Sequence, residues 1–216
     1  MTSRKLDRRT VVETALRLLN DVGMDGLSLR RLAQELGVQG PALYRHFASK
    51  QDLLRAMADA MFIPEMAILE RPPPRADWAA WLIARSRAVR RVMLSYRDGG
   101  RLKEHLHYPS DQWPGLELLL QMMEDAGFAV DSAWYGISTV GNHILGTVVA
   151  QQELQARQEV PAVHPPIDPA RFPRVAHATS MRSDGRDFDR EFEYGLHLII
   201  SGLRASLKPG QHDPLR

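Results

Sequence analysis

Apolar residues recur every three to four positions along most of this chain, which is the spacing of amphipathic helices. No stretch alternates apolar and polar residues as a half-buried β-strand would. The helical segments predicted from this spacing are 11–22, 28–36, 41–47, 49–62, 78–96, 101–107, 112–126, 131–158 and 188–207. We therefore predict an all-α fold.

Glycine, serine and proline mark the ends of the first helices. Gly23 lies where the first helix should stop, and Ser28 is a suitable N-cap for the second. Gly37 can adopt the left-handed conformation that ends the second helix, and Pro41 suits the first position of the third. Pro64 is expected to bend or end the fourth helix.

Proline-rich stretches suggest the domain organisation. Arg71 is followed by three prolines, which form a stiff spacer. We expect an N-terminal domain over 1–50, a connecting helix and linker over 51–71, and a second domain over 72–216. Residues 159–187 contain five prolines and little periodicity, so we expect a long mobile loop or one that holds only a short helix.

Composition excludes several classes of protein. The chain has no cysteine, so disulfides, thiolate nucleophiles and cysteine-ligated zinc are excluded. No apolar run approaches the ~20 residues that span a bilayer, so no membrane partner is expected. The N-terminus leads into an amphipathic segment and not into the apolar core of a signal peptide, which predicts a cytoplasmic protein.

Positive charge is concentrated at the N-terminus. Residues 1–50 contain nine Lys or Arg against five Asp or Glu, whereas the whole chain carries a net charge of only +2. A basic N-terminal module on a near-neutral body suits the neutralisation of DNA phosphates. A strongly solvated face would give the same distribution.

The second and third helices are short and are joined by a glycine-containing turn, as in a helix-turn-helix motif. Ala33 and Leu43 would pack the two helices together, and Gly37 would form the turn. The residues expected to face outward are Gln39, Gly40, Ala42, Arg45 and His46. An ordinary helical hairpin would have similar spacing, so this pattern alone leaves DNA binding open.

Residues 26–50 resemble the DNA-binding domain of the tetracycline repressor (TetR) family nearly residue for residue. Residues 95–99, Ser-Tyr-Arg-Asp-Gly, and 138–146, Ser-Thr-Val-Gly-Asn-His-Ile-Leu-Gly, resemble the ligand-binding domain of the tetracycline repressor itself. The resemblance covers nearly the whole chain. It implies three N-terminal helices on a DNA operator and a helical body that binds ligand and dimerises.

The resemblance also implies particular DNA contacts. Positions that would meet base edges are Arg30, Gln39, Gly40, Pro41, Ala42 and Arg45, and positions that would meet phosphates are Ser28, Tyr44, His46 and Lys50. Arginine can bind guanine O6 and N7 bidentately, and Ala42 or Pro41 can touch a thymine methyl group. The tetracycline repressor has Trp and Gln at positions 45 and 40, so a different operator sequence is expected. Tyr44 could instead pack against the first helix, and His46 could be an ordinary surface residue.

The resemblance places a ligand pocket in the body. Its residues would be Met66, Arg85, Val89, Lys103, Leu106, Tyr108, Leu119, Trp134 and Ile137. Most are apolar or aromatic, as in a cavity for a lipophilic molecule. Such residues could also simply fill a core.

Three departures argue against a magnesium–tetracycline ligand. In the tetracycline repressor a histidine at the position of Lys103 binds the metal, and a carboxylate at the position of Ala150 holds a coordinated water. Lysine repels Mg²⁺ and alanine has no ligand atom. Arg85 replaces an asparagine that contacts the drug. No metal or cofactor is therefore expected, and an anionic aromatic ligand is favoured, unless Arg85 and Lys103 are solvated surface residues.

The predicted function is a ligand-responsive transcriptional repressor that binds a palindromic operator as a homodimer. Dimerisation is expected through 131–158 and 188–207. Residues predicted to supply this surface are Gly136, Gly141, Ile144, Gly146, Val148, Leu196, Ile199, Ile200 and Leu203. An activator or a ligand-independent regulator would show the same features. An enzyme is less favoured, because no HExxH, GxSxG or P-loop pattern occurs and His105 and His107 lie on different faces of a helix.

Overall fold

The computed structural model describes residues 6–68, 71–72, 76–106, 113–157, 167–183 and 187–207. Within these ranges every regular element is a helix, which confirms the predicted all-α class. The helices are α1 (Arg8–Gly26), α2 (Leu29–Glu35), α3 (Gly40–Tyr44), α4 (Lys50–Ile68), α5 (Trp78–Leu94), α6 (Gly99–Leu102), α7 (Trp113–Asp125), α8 (Val130–Arg157), α9 (Pro173–Ser183) and α10 (Phe188–Ser206). A 3₁₀ turn, Lys103–His105, follows α6 directly.

Side-chain caps set the start of several helices. The predicted cap Ser28 accepts a hydrogen bond at Oγ from the Arg31 amide, at 3.2 Å. Asp7 caps α1 and Asp77 caps α5, each through Oδ1 and an amide three residues on, at 2.7 Å. A cap of this kind contributes about 1 kcal/mol to helix stability, so these polar residues define where the helices begin.

Two predicted helix ends differ from the structure. Gly23 does break α1, with φ 71° and ψ 176°, but helical structure resumes and continues to Gly26. Pro64 does not end α4, which continues to Ile68, and the other expectation, a bend at Pro64, stays a prediction. Met61 and Phe62, just before the proline, are buried, and α4 packs against both α1 and α5. Tertiary packing therefore holds α4 together where the local preference would stop it.

The later helices lie close to their predicted positions, α7, α8 and α10 within one residue at each end. The segment predicted as a helix over 101–107 begins earlier, at Gly99, and narrows to the 3₁₀ turn after Leu102; position 107 lies outside the described residues. Within 159–187, where a short helix was one of two expectations, α9 occupies Pro173–Ser183.

The buried residues form one continuous cluster from α1 to α10. At the N-terminal end Leu19, Leu32 and Leu43 meet at the centre of the first three helices. In the body, Trp81 and Phe192 are among the largest fully buried side chains. Helix α4 contacts both regions, because it packs on α1 and on α5. No helix in the described part of the chain is long and apolar enough to cross a membrane.

Candidate DNA-binding and ligand-binding sites

The turn between α2 and α3 has the geometry of a helix-turn-helix. Gly37 has φ 65°, and a Cβ there would meet no atom within 4 Å, so conformation and not space requires glycine. The Val38 amide donates to the Ala33 carbonyl at 3.0 Å and the Gly37 amide to the Gln34 carbonyl at 3.1 Å. These are the two hydrogen bonds of a Schellman motif. Ala33 and Leu43 are buried where the helices meet, as predicted.

Helix α3 presents its polar residues to solvent. Gln39, Pro41 and Arg45 are exposed, and the space beside Gly40 is open. Ala42 is half-buried. Tyr44 is 59% exposed, so more than half of its side chain is accessible to a partner. The residues predicted for base contact on α3 are therefore wholly or partly accessible to a partner.

Three of the four residues predicted for phosphate contact also make hydrogen bonds within the chain. The Ser28 hydroxyl accepts the capping hydrogen bond and retains its own proton for donation. The His46 carbonyl accepts from Arg8 Nη1 at 2.6 Å. Lys50 is exposed at the start of α4, and its Nζ donates to the Met24 carbonyl at 3.4 Å.

Unpaired arginines mark this end of the molecule. Arg30, Arg31 and Arg45 are exposed, and none has an acidic partner within the described residues. In contrast, Arg9 on α1 is paired with Glu13 at 2.7 Å. Part of the uncompensated positive charge of the N-terminal helices thus lies on α2 and beside α3, where it can meet an anionic partner. Arg31 was not among the predicted contacts.

The residues predicted to bind ligand lie on five elements that pack against one another. Met66 is on α4, Arg85 and Val89 on α5, Lys103 and Leu106 at the 3₁₀ turn, Leu119 on α7, and Trp134 and Ile137 on α8. Tyr108 lies outside the described residues. The elements that carry these positions therefore pack together in the body, and a shared pocket lined by their side chains stays a prediction.

Burial separates the members of this set. Arg85 is half-buried: its Nη2 lies 3.8 Å from Met66 Sδ, and its Cζ lies 5.4 Å from the centre of the Trp81 ring. The structure thus brings Arg85 and Met66 together. Leu119 is buried, whereas Trp134 is 48% exposed and is the least enclosed of the described members. Within the described residues no three His, Asp or Glu side chains converge as metal ligands.

The contact between the end of α1 and the turn after α5 was not predicted from the sequence. Asp98 has φ 57°, and its Oδ2 accepts from the Met24 amide at 2.7 Å, just beyond the break at Gly23. Arg101 binds Asp25 through two hydrogen bonds, at 2.9 and 3.2 Å. The Arg101 guanidinium holds the pKa of Asp25 below its usual range. The partners are more than 70 residues apart, so no local pattern could have predicted them.

Gln152 on α8 was also missed. Its Nε2 donates to the carbonyls of Met93 at 3.1 Å and Tyr96 at 2.8 Å, and its Oε1 accepts from the Gly100 amide at 3.1 Å. One side chain therefore satisfies three backbone groups of the turn between α5 and α6. This holds the turn that contacts α1 against the longest helix of the body.

The residues predicted to supply surplus apolar surface on α8 and α10 are mostly buried within one chain. Ile144, Val148, Leu196 and Ile200 are at most 4% exposed, because α8 and α10 pack against each other and α8 packs on α5. This part of the prediction is wrong. The large apolar side chains that are exposed on these helices are Val130, Trp134, Tyr135, Tyr194 and Leu198.

A helix-turn-helix with an accessible second helix, joined by a connecting helix to a helical body, defines a DNA-binding transcriptional regulator with a separate regulatory domain. Residues 11–57 match the family "Bacterial regulatory proteins, tetR family", and residues 71–207 match "Tetracyclin repressor-like, C-terminal domain". The chain belongs to the tetR family. Its members are bacterial regulatory proteins.

Individual relatives agree over nearly the whole chain. Tetracycline repressor protein class C from Escherichia coli is 38% identical over 201 residues, which cover 92% of this chain and 91% of the relative. The crystal structure of a possible TetR family transcriptional regulator from Streptomyces coelicolor A3(2) is similar with a TM-score of 0.78, 34% identity and coverage of 93% and 100%. The structure of TetR (class A) in complex with 5a,6-anhydrotetracycline and magnesium is similar with a TM-score of 0.71, 30% identity and coverage of 93% and 99%.

Proposed function

We propose that this protein is a ligand-responsive transcriptional repressor that binds a palindromic DNA operator as a homodimer and is released by a small aromatic or lipophilic molecule. The observation that carries the proposal is the accessible surface of α3 with Arg30 and Arg45 unpaired beside it. Each expected domain has its own function: residues 1–50 bind DNA, residues 51–71 connect the two domains, and residues 72–216 bind ligand and dimerise. A repressor of this kind acts in the bacterial cytoplasm.

At the operator, Arg30, Gln39, Gly40, Pro41, Ala42 and Arg45 contact base edges, and Ser28, Tyr44, His46 and Lys50 contact phosphates. The exposure of Tyr44 and Arg45 supports this assignment, since both side chains are available to a partner. Arg45 stands where the tetracycline repressor has a tryptophan, and arginine favours guanine. The operator therefore differs from that of the tetracycline repressor.

The test is selection of DNA by the full-length protein from a pool of randomised duplexes. The selected sequences should contain two inverted half-sites, and binding should weaken steeply with salt because released counterions contribute much of the affinity. Selection of no duplex, or of sequences without inverted symmetry, would contradict the proposal.

The dimer forms through α8 and α10. Tyr135, Tyr194 and Leu198 are more than half exposed on these helices, and exposed apolar clusters of this kind mark protein interfaces. Positions Gly141 and Gly202 are open, so a second backbone can approach closely. Two-fold symmetry would place the recognition helices about 34–36 Å apart, one turn of DNA. A monomeric mass by light scattering at micromolar concentration would exclude this arrangement.

The ligand is an aromatic anion rather than a magnesium–tetracycline chelate. Arg85 is half-buried against Met66 and Trp81, and Lys103 is also half-buried, which supports a place at the pocket for both. Arginine and lysine side chains at a ligand site favour a carboxylate or another anion. Lys103 and Ala150 cannot replace the histidine and the carboxylate that serve Mg²⁺ in the tetracycline repressor.

Calorimetry tests the ligand class. Aromatic carboxylic acids should bind, and Lys103→Ala should weaken them; tetracycline with Mg²⁺ should show no micromolar binding. Magnesium-dependent tetracycline binding would overturn the exclusion. If Lys103→Ala bound aromatic acids as well as wild type does, the assignment of an anionic ligand would be wrong. Release from the operator by a neutral lipophilic ligand would then be the next hypothesis to test.

The turn after α5 offers a route from ligand to DNA. Lys103 and Leu106 lie at its far end, while Asp98 and Arg101 hold the end of α1. A ligand that moves this turn would change the position of α1, and a coupling of about 1–3 kcal/mol already alters operator affinity 5- to 150-fold. The alternative is an activator or a ligand-independent regulator of the same fold. Transcription measured with and without the bound operator would distinguish these functions from repression.

A further inference from the structure

Arg8, in the first turn of α1, contacts the end of α3 and the start of α4 at once. Its Nη1 donates to the His46 carbonyl at 2.6 Å and its Nη2 to Asp52 Oδ1 at 3.2 Å. Its Cζ lies 4.2 Å from the centre of the buried Phe47 ring. One guanidinium therefore joins three helices of the DNA-binding end. Neither the motif nor the proposed contacts assign Arg8 a role.

Helix α3 is short enough to need such an anchor. It has five residues, so its own hydrogen bonds define its orientation poorly, and its last carbonyls lack partners within the helix. Leu43 and Phe47 fix its buried side. Arg8 adds a charge-assisted hydrogen bond at the carbonyl of His46, directly after Arg45. The bond therefore holds the backbone that carries two of the proposed DNA contacts.

The other end of the contact is itself held in place. Asp52 Oδ2 accepts from the Ala48 amide at 3.2 Å, and the Asp52 amide donates to Ser49 Oγ at 3.1 Å. Asp52 is thus part of the cap of α4, and its second carboxylate oxygen is the one that Arg8 binds. The planar guanidinium of arginine can donate to both acceptors, the His46 carbonyl and Asp52 Oδ1, at once. The ammonium of lysine is a single point and does not have this geometry.

We infer that Arg8 is a positioning residue for the recognition helix: it sets the end of α3 so that Arg45 and His46 meet the operator, and it does not itself contact phosphate. The inference rests on the proposed operator binding. Arg9 provides a matched control, because it is the next residue, carries the same charge, is 88% exposed and is paired only with Glu13 among the ion pairs of the described residues.

The experiment compares full-length wild type, Arg8→Ala and Arg9→Ala on a duplex selected by the wild type and on an unrelated duplex of equal length, over a range of salt. Arg8→Ala should bind the selected duplex about tenfold more weakly and the unrelated duplex within about twofold of wild type. Its salt dependence on the selected duplex should be unchanged. Arg9→Ala should stay within about twofold on both duplexes.

Arg8→Lys separates geometry from charge and also serves if Arg8→Ala does not fold. It should still bind the selected duplex several-fold more weakly than wild type, and full recovery of affinity would overturn the inference. The inference would also be overturned if Arg8→Ala bound the selected duplex within about twofold of wild type. It would equally be overturned if Arg8→Ala lost the same affinity on both duplexes and its slope of log affinity against log salt were smaller by about 0.9, because that change indicates one lost phosphate contact. Failure of the wild type to select any duplex would instead contradict the proposed function.

Discussion

Arginines at the two ends of this molecule are used in different ways. On α2 and beside α3, Arg30 and Arg45 project into solvent without an acidic partner in the described chain. In the body, Arg90 is buried, binds Asp189 at 2.7 Å and donates to Gln151 at 2.8 Å. The residue type is the same, and the surroundings decide whether its charge is satisfied within the fold or left for a partner.

The comparison distinguishes residues that hold the structure from residues that bind. A cation that is paired within the chain contributes to stability, so its removal should lower the free energy of unfolding. An exposed cation without a partner contributes little to stability, so its loss should be felt in binding to DNA. Arg90→Ala should therefore change stability, whereas Arg45→Ala should change DNA binding and leave stability nearly unchanged.

The largest effect on stability is expected at Arg90. Arg90→Ala removes the ion pair with Asp189, the hydrogen bond to Gln151 and the contact of the guanidinium with the Phe192 ring, so the free energy of unfolding should fall by about 3 kcal/mol. Urea denaturation at a fixed protein concentration measures this. Arg91→Ala, an exposed neighbour, should change stability by less than about 0.5 kcal/mol. Equal effects of the two variants would break the comparison.

Arg45→Ala should have the converse effect. Operator affinity should fall by about 1–3 kcal/mol, with relaxed preference at one base pair in each half-site, because a bidentate contact to guanine is lost. Stability should remain within about 0.5 kcal/mol of wild type. Binding titrations on single-base variants of the selected duplex provide the measurement, and unchanged operator affinity would refute the recognition-helix assignment.

Lys50→Ala sharpens the distinction between base and phosphate contacts. It should weaken binding to all duplexes by a similar free energy, about 1 kcal/mol, and it should reduce the slope of log affinity against log salt by about 0.9. The variant also loses the hydrogen bond to the Met24 carbonyl, so melting temperature should be recorded alongside. A loss confined to the selected sequence would mean that Lys50 reads a base.

The smallest effect concerns a surface ion pair of the body. Arg87 binds Glu193 through two hydrogen bonds of 2.7 Å and lowers the pKa of that carboxyl from its ordinary value of 4.5. A carboxyl whose pKa is lowered by folding stabilises the folded state at pH values above its ordinary pKa. This contribution is lost as the pH falls through the lowered pKa. Glu193→Gln should therefore cost at most about 1 kcal/mol at neutral pH and nothing at strongly acidic pH.

Denaturation of wild type and Glu193→Gln across pH 3–7 tests this sign. His197 lies 3.6 Å from Glu193 and also favours the charged carboxylate when it is protonated. A difference between the two proteins that grows as pH falls would contradict the assignment of the pair as stabilising.

Much of the DNA-binding end was predictable because its signals are local. The cap at Ser28, the left-handed Gly37 and the packing of Ala33 and Leu43 each depend on residues within a few positions, and the structure confirms them. The ligand-binding set was less predictable. Its members come from five elements, and the sequence could not show that Arg85 would meet Met66 while Trp134 would stay largely exposed.

Helical periodicity by itself determined the fold class and most helix positions, because each depends on neighbouring residues. Only tertiary structure decided that α4 continues past Pro64, that Ile144 and Leu196 are buried within one chain, and that Asp98 holds the end of α1. These outcomes depend on contacts between residues far apart in sequence. The same is true of Arg8, whose neighbour Arg9 has the same charge and a different role, because only Arg8 faces the end of α3.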